Sequence, residues 1–504
     1  MKTVATVKNA IAAIIYYLIS IIGGILLRKA VILFLGIQYQ GADGLFSNII
    51  TLLSIAELGI GPAVVCNLYE PLSRNDRESV KSLMAFYRSC YLCIGAAVFL
   101  IGLAAVPVLP FLVKDYSLPY PLVLIYSFYL IDAAVSYVFS YRRSILLADQ
   151  KNYMVSLADV LYVVCVKAVQ ILILWKTGSY LWFLASMVLL RLAENAAIYL
   201  YTERTYPYLK EEHAPLNREL LEDIIRKVRG AFCHKIGYFV VLGTDNILIS
   251  KFFGLVYSGI YSNYWVIINA VQNLCTKTVS ASTAGIGHLL AEKEPAHNRR
   301  VFEELQWINV MLSNFAAAGI CSVCSDTVEF LFGGQYRLDD FTVSVLALNL
   351  AFACMRSVYA SFKEAAGIYY EDRFVPLIES AVNIAASVFL LRTFGLAGIF
   401  MGTIVSSLTL YLYTYPVLVY KKLLSGSLFT YFRDAVWQLG VFGSTLYISG
   451  KLSGFLSGEV TIGRIAAKAA AALLAAGAVF FFGYGVWKPE RRAVLLRLRS
   501  LLKR

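Results

Sequence analysis

Charge is what this chain has least of: charged side chains make up 15% of its 504 residues, and 59% are apolar. A soluble globular domain carries about 25% charged residues, so that class is excluded and an integral membrane protein is implied. Histidine is scarcer still. The 4 histidines, His213, His234, His288 and His297, are scattered and make no triad with a nucleophile. The 9 cysteines include Cys90-x-x-Cys93 and Cys321-x-x-Cys324. Both pairs fall inside apolar runs with no further ligand to complete a zinc site, so they read as small packing residues. No Gly-x-x-x-x-Gly-Lys-Ser/Thr phosphate loop occurs, which argues against a single-chain ATP-driven pump. No connection on the outer face is long enough to fold into a domain, which disfavours a membrane-bound glycan polymerase or ligase. No resident cofactor or metal is expected, and the protein is not expected to be an enzyme; coupling to Na+ or H+ stays open.

What is present is a succession of apolar spans. Runs of roughly 20 predominantly apolar residues recur along the whole length, about fourteen by that criterion. Strands of a β-barrel would instead alternate over about 10 residues, so the expected class is all-α. Lys2 and Lys8 precede the first run, but its extent, from about Ile11 to Leu35, is too long for a signal peptide, and it reads as a retained helix. The net charge of +13 is spread over short loops rather than gathered on one surface, so nucleic acid is not expected as a partner. Of the 45 Lys and Arg, about 30 fall in alternate loops on one side, which by the positive-inside rule is the cytoplasmic one. An even number of spans then places both termini in the cytoplasm.

The longest cytoplasmic connection divides the chain. The expected organisation is a six-helix bundle over 1–203, a linker over 204–230 with an amphipathic stretch from Leu216 to Val228, and a second six-helix bundle over 231–424. Spans 13 and 14 follow over 425–487, and a basic tail over 488–504 is suited to anionic lipid. The two bundles carry an internal echo: Gly44-Leu45-Phe46-Ser47-Asn48 and Gly259-Ile260-Tyr261-Ser262-Asn263 each follow a span that ends in glycine, at Leu35-Gly36 and Phe253-Gly254. Duplication of a membrane bundle marks many secondary transporters.

Charges inside the spans narrow the function. Each costs about 2.5 to 3.5 kcal/mol on insertion scales and must face protein or a water-filled cavity. Arg28 and Lys29 lie in span 1, Glu57 in span 2, Asp132 in span 4, Asp159 and Lys167 in span 5, and Arg191 and Glu194 in span 6. Asp245, Lys277, Glu329, Arg356 and Glu379 follow in the second half. Arg191 and Glu194 are three apart on one face, the spacing of a local ion pair. Arg28 has no acidic residue three or four positions away, and a guanidinium grips a phosphate by two parallel hydrogen bonds. A charge pair across helices to Glu57 or Asp245 is the structural alternative. The candidate binding residues are Arg28, Lys29, Lys277 and Arg356, with Asn48 and Asn263 from the duplicated phrase. Glu57 and Asp245 are the candidates for ion coupling.

Several motifs resemble one family. They are Arg28-Lys29 before Leu35-Gly36, Gly41-x-x-Gly44-Leu45-Phe46-Ser47-Asn48, Ala56-Glu57-Leu58-Gly59-Ile60-Gly61, Leu68-Tyr69-Glu70-Pro71-Leu72, Thr244-Asp245-Asn246 and Tyr261-Ser262-Asn263-Tyr264. The run from Ala366-Gly367 through Asp372-Arg373-Phe374-Val375-Pro376 to Glu379 is the most specific. On these the chain is similar to the bacterial polysaccharide flippases, of capsule and O-antigen type, in the multidrug/oligosaccharidyl-lipid/polysaccharide exporter superfamily. The resemblance implies two pseudo-symmetric six-helix bundles around a central cavity, plus two C-terminal helices. It implies movement of undecaprenyl-pyrophosphate-linked oligosaccharide across the bacterial cytoplasmic membrane by alternating access. Expected partners are that lipid-linked oligosaccharide, membrane lipids and glycan polymerases. Two rivals stand beside it: an ion-coupled multidrug exporter of the same superfamily, and a non-transporting scaffold of a glycan-assembly complex.

Overall fold

The computed structural model describes the chain except for residues 1, 58, 59, 115, 150, 213, 214, 217, 281, 293, 369, 457 and 489–504. Apart from Lys488, the basic tail therefore lies outside the described residues. Among the described residues all regular structure is helical, and the expected fourteen membrane helices are present. Nine of the described helices are individually long and apolar enough to cross a bilayer, and the protein is a multi-pass membrane protein. The chain divides into two compact units, Met1–Ser262 and Asn263–Arg504.

The first unit holds α1 (Lys2–Phe34), α2 (Ile37–Leu53), α3 (Ile60–Ser73), α4 (Arg77–Ala105), α5 (Leu122–Ala148), α6 (Asn152–Thr177), α7 (Tyr180–Thr205) and the first part of α8 (Arg218–Ser280). Local chemistry sets the boundaries. Asp76 caps α4 by accepting from the Ser79 amide at 3.1 Å, which satisfies one of the orphan donors of the first turn. Gly178, at φ +59°, closes α6 in the left-handed conformation. Leu45, Phe46 and Ile49 of α2 form one core with Ile125, Tyr126 and Leu130 of α5 and Leu184 of α7. A second core joins Leu83, Tyr87 and Val98 of α4 to Ile145 of α5.

The duplicated phrase has a physical meaning within this unit. Gly36 and Gly254, the glycines that end the preceding spans, have φ of +107° and +84°, backbone that side-chain-bearing residues rarely adopt. α8 thus bends at Gly254, and its two straight parts count as separate membrane helices. Beyond these breaks, α2 and α8 touch backbone to backbone. A Cβ on Gly41 would lie 1.9 Å from the Leu255 carbonyl oxygen, and one on Gly259 would lie 2.4 Å from that of Ile37. Ser258 Oγ donates to the Gly41 carbonyl at 3.3 Å. Each copy packs on the other, and small residues permit that approach in a membrane.

The segment after α7 is tied down rather than free. Tyr206 Oη donates to Asp149 at 2.6 Å, Lys81 pairs with Glu211 at 3.3 Å, and Arg77 lies 5.3 Å over the Tyr208 ring. The amphipathic stretch expected from Leu216 falls largely within α8, which begins at Arg218.

The second unit continues α8 and adds α9 (Thr283–Glu292), α10 (Pro295–Phe332), α11 (Asp340–Ala365), α12 (Val375–Phe394), α13 (Leu396–Thr409), a wider π-helical turn (Leu410–Leu423), α14 (Leu428–Phe455) and α15 (Ile462–Phe480). One of its cores gathers Trp307 and Val310 of α10, Met355 of α11, Phe442 of α14, and Phe480 with Tyr484 at the end of α15. The run recognised as most specific is a built turn. Gly367, at φ +67°, ends α11, and the Ile368 amide reaches back to the Lys363 carbonyl at 3.1 Å. Lys363 pairs with the buried Asp372, and Arg373 lies 3.8 Å over the Tyr370 ring.

Candidate functional site

Four helices of the first unit enclose a cavity of about 240 Å3, large against the 10–15 Å3 that one water-sized probe takes up, by a rough measure. Helical spacing places its walls. Gly24, Leu27, Arg28 and Val31 come from one face of α1; Tyr162, Val166, Lys167 and Gln170 from one face of α6. Tyr39, Gln40 and Asp43 of α2 and Tyr180, Phe183 and Met187 of α7 complete it.

Lys167 is seated by the backbone of α1. Its Nζ donates to the Ser20 carbonyl at 2.7 Å, and a Cβ on Gly23 would lie 2.8 Å from its Cδ. The Gly23-Gly24 pair therefore leaves the groove in which the lysine stem lies. Arg28, one helical turn further along, is half-buried, and its Nη1 is buried with no hydrogen-bond partner. Among the described residues neither cation forms an ion pair. The carboxylate whose field reaches Arg28 is Asp43, which accepts from Gln40 Nε2 at 3.2 Å and from Tyr129 Oη at 2.8 Å. With two cations, one carboxylate and the amides of Gln40 and Gln170, the cavity carries an excess positive charge and donors for an anion.

The other expected residues fall elsewhere. Lys29, beside Arg28 on α1, is exposed and does not line the cavity. Lys277, near the end of α8, is exposed and belongs to the second unit. Arg356 is paired with Glu379 at 3.4 Å. Asn48 Nδ2 donates to the Gly44 carbonyl of its own helix at 2.7 Å, whereas Asn263 is buried with neither amide atom hydrogen-bonded.

Glu57 sits in a 3-10 turn (Ser54–Glu57) between α2 and α3. It accepts from Tyr91 Oη at 2.7 Å; Tyr87 Oη donates to Tyr91 at 3.2 Å, and Ser144 Oγ donates to Tyr87 at 3.3 Å. Asp245 is half-buried on α8, near Tyr261. Arg191 pairs with Glu194 at 2.9 Å as the spacing requires. Arg143 joins them, reaching Glu194 at 2.7 Å and Asp159 at 2.6 Å.

Lys167, Asp43, Gln40 and Gln170 are the site residues that sequence reasoning passed over. Lys167 is one of the charges noted inside the spans; the signal for choosing it is the Gly23-Gly24 pair in span 1, which is uninformative until α1 and α6 are known to touch.

No protein-family model matches the chain, and no curated protein matches its sequence. Solved structures do. The lipid II flippase MurJ in an inward closed conformation is 12% identical, with a TM-score of 0.65, over 95% of this chain and 99% of that one. An inward-facing multidrug resistance MATE transporter of the MOP superfamily is 15% identical, with a TM-score of 0.60, over 80% and 94%. A MOP superfamily transporter from Pyrococcus furiosus, described as having a binding pocket of reverse polarity, is 13% identical, with a TM-score of 0.52, over 80% and 92%. This chain has the MOP transporter fold. At these identities the likeness reaches the fold and stops there.

Proposed function

We propose that this protein is a flippase that moves undecaprenyl-pyrophosphate-linked oligosaccharide across the bacterial cytoplasmic membrane by alternating access, for assembly of a cell-surface polysaccharide. The observation that carries this reading is the cation-lined cavity of the first unit. Arg28, unpaired, presents a guanidinium to the pyrophosphate, and Lys167 adds a second positive charge. A phosphate group brings the acceptors that Arg28 lacks, in surroundings where a charge-assisted hydrogen bond is worth more than in water. Lys277, in the second unit, is a further proposed substrate-binding residue. No covalent bond changes, so the activity is transport rather than catalysis. Glu57 and Asp245 are candidates for coupling to H+ or Na+, both termini are cytoplasmic, and glycan polymerases are the partners that would consume the product. The rival within the superfamily, a multidrug exporter, calls for an acidic cavity suited to cations, and the polarity here is opposite.

The test is the leaflet distribution of undecaprenyl-linked oligosaccharide in cells with and without the protein. Accumulation on the cytoplasmic side in its absence, rescued by the wild type and not by Arg28→Ala or Lys277→Ala, is expected. An unchanged distribution, in cells with no second flippase, would overturn the reading.

A further inference from the structure

A second, smaller cavity lies in the other unit and belongs to no site discussed so far. It has a volume of about 30 Å3, room for roughly two water-sized groups. Glu303, Gln306 and Trp307 of α10, Asp434 and Gln438 of α14, and Lys488 beyond α15 line it, with Tyr359, Tyr420, Tyr431 and Tyr484 completing an aromatic wall. Gln306 is 4% exposed, yet neither its Oε1 nor its Nε2 has a hydrogen-bond partner, and the Trp307 Nε1 is likewise buried and unbonded. Leaving such groups unmade costs each its full desolvation penalty. The remaining amide is committed, since Gln438 Nε2 donates to Tyr484 Oη at 3.0 Å.

The inventory defines what would fill the space. Gln306 Nε2 and Trp307 Nε1 need an acceptor, while Gln306 Oε1 needs a donor. An ammonium group supplies donors only and a phosphate acceptors only; a hydroxyl supplies both, in a volume this small. The rim adds charge. Lys488 pairs with Asp434, Arg433 lies 3.2 Å from Asp434, and Arg299 lies 3.7 Å from Glu303. Among the described residues three cations thus stand beside two carboxylates, an excess of positive charge suited to a single phosphodiester. Phe429, Val436 and Trp437 of α14, with Phe482 and Trp487 after α15, are exposed apolar surface on the same two helices, suited to acyl chains and to the interfacial aromatic belt.

We propose that this pocket binds the polyol end of an anionic phospholipid of glycerol type, with headgroup hydroxyls on Gln306 and Trp307 and the phosphate at Lys488 and Arg433. The site is independent of the flippase reading and of the Arg28 cavity.

The experiment measures retention of phosphatidylglycerol, phosphatidic acid and phosphatidylethanolamine, matched in acyl chains, on the full-length purified protein by native mass spectrometry. Phosphatidylglycerol is expected to exceed the other two by about tenfold, the worth of one or two well-made hydrogen bonds. Gln306→Leu, which keeps the volume and removes the polar atoms, is expected to abolish that preference at unchanged thermal stability. Trp307→Phe, which keeps an aromatic ring but removes the donor along with part of the indole, is expected to halve it on a logarithmic scale. Displacement of the lipid by soluble glycerol 1-phosphate would support the headgroup chemistry alone, and retention in its presence supports the lipid as the source. Equal retention of phosphatidylglycerol and phosphatidic acid, or a preference that survives Gln306→Leu, would overturn the proposal and leave the pocket to water.

Discussion

Two clusters of positive charge, one in each unit, are held in opposite ways. In the second, Lys468 and Arg464 of α15 and Arg337 converge on one buried carboxylate, Asp326 of α10, at 2.8, 3.4 and 3.4 Å. In the first, Arg28 and Lys167 face a cavity with no ion pair among the described residues, and the field of Asp43 reaches Arg28. On the proposed function, the difference separates structural charge from charge held for a ligand. A cation with a buried carboxylate spends its field on holding helices together, here α15 against α10. A cation without a counter-charge costs a few kcal/mol, and on the proposed function the substrate's phosphate supplies the missing partner.

Breaking the paired side should cost most. Asp326→Asn leaves the buried Lys468 and the half-buried Arg464 of α15 without that counter-charge and is expected to destabilise the protein by about 3–5 kcal/mol, read as a fall in the thermal unfolding temperature in detergent. Breaking the unpaired side should act on transport and not on folding. Arg28→Ala is expected to lower flipping by about tenfold to a hundredfold, the loss of a bidentate charged contact. Its thermal stability should match or exceed that of wild type, because an unpaired intramembrane charge has been removed. A fall in stability like that of Asp326→Asn would erase the distinction.

Lys167 sharpens the comparison further. Lys167→Met keeps the stem and removes the charge, and is expected to lower flipping by about tenfold without loss of stability. Gly23→Val should do part of the same by crowding the lysine stem, whose Cδ lies 2.8 Å from the added Cβ, and lower flipping several-fold. The smallest effect belongs to Arg356. Its pairing with Glu379 predicts that Arg356→Ala and Glu379→Ala each destabilise, and that the double substitution recovers about 1 kcal/mol of coupling in a double-mutant cycle. A loss of flipping by Arg356→Ala beyond its loss of stability would return Arg356 to the binding site.

Which of these residues could be found from sequence follows from how far each partner lies along the chain. The spans and their number are legible because bilayer thickness imposes a length on every helix. The breaks at Gly36 and Gly254 are legible because the phrase repeats behind both. Arg191 and Glu194 are legible as a pair because they are three apart on one helix. Arg143, which completes their network from α5, is not, since its partner Glu194 is 51 residues away. Arg28 stood out by the absence of a local acid, and that absence survives folding. The second cation did not stand out, because Lys167 meets a backbone carbonyl 147 residues earlier, and helix-to-helix register leaves no mark in spacing. For the same reason Arg356 looked like Arg28 until α12 brought Glu379 beside it.

The backbone contact between Gly41 and Leu255 also sets an order on biosynthesis. The strip of α2 that receives α8 is inserted early, and more than two hundred residues must follow before its partner emerges. Until then that strip lacks the backbone it packs against in the finished protein. A nascent chain stopped in the connection before α8 therefore lacks the backbone partner of its own α2.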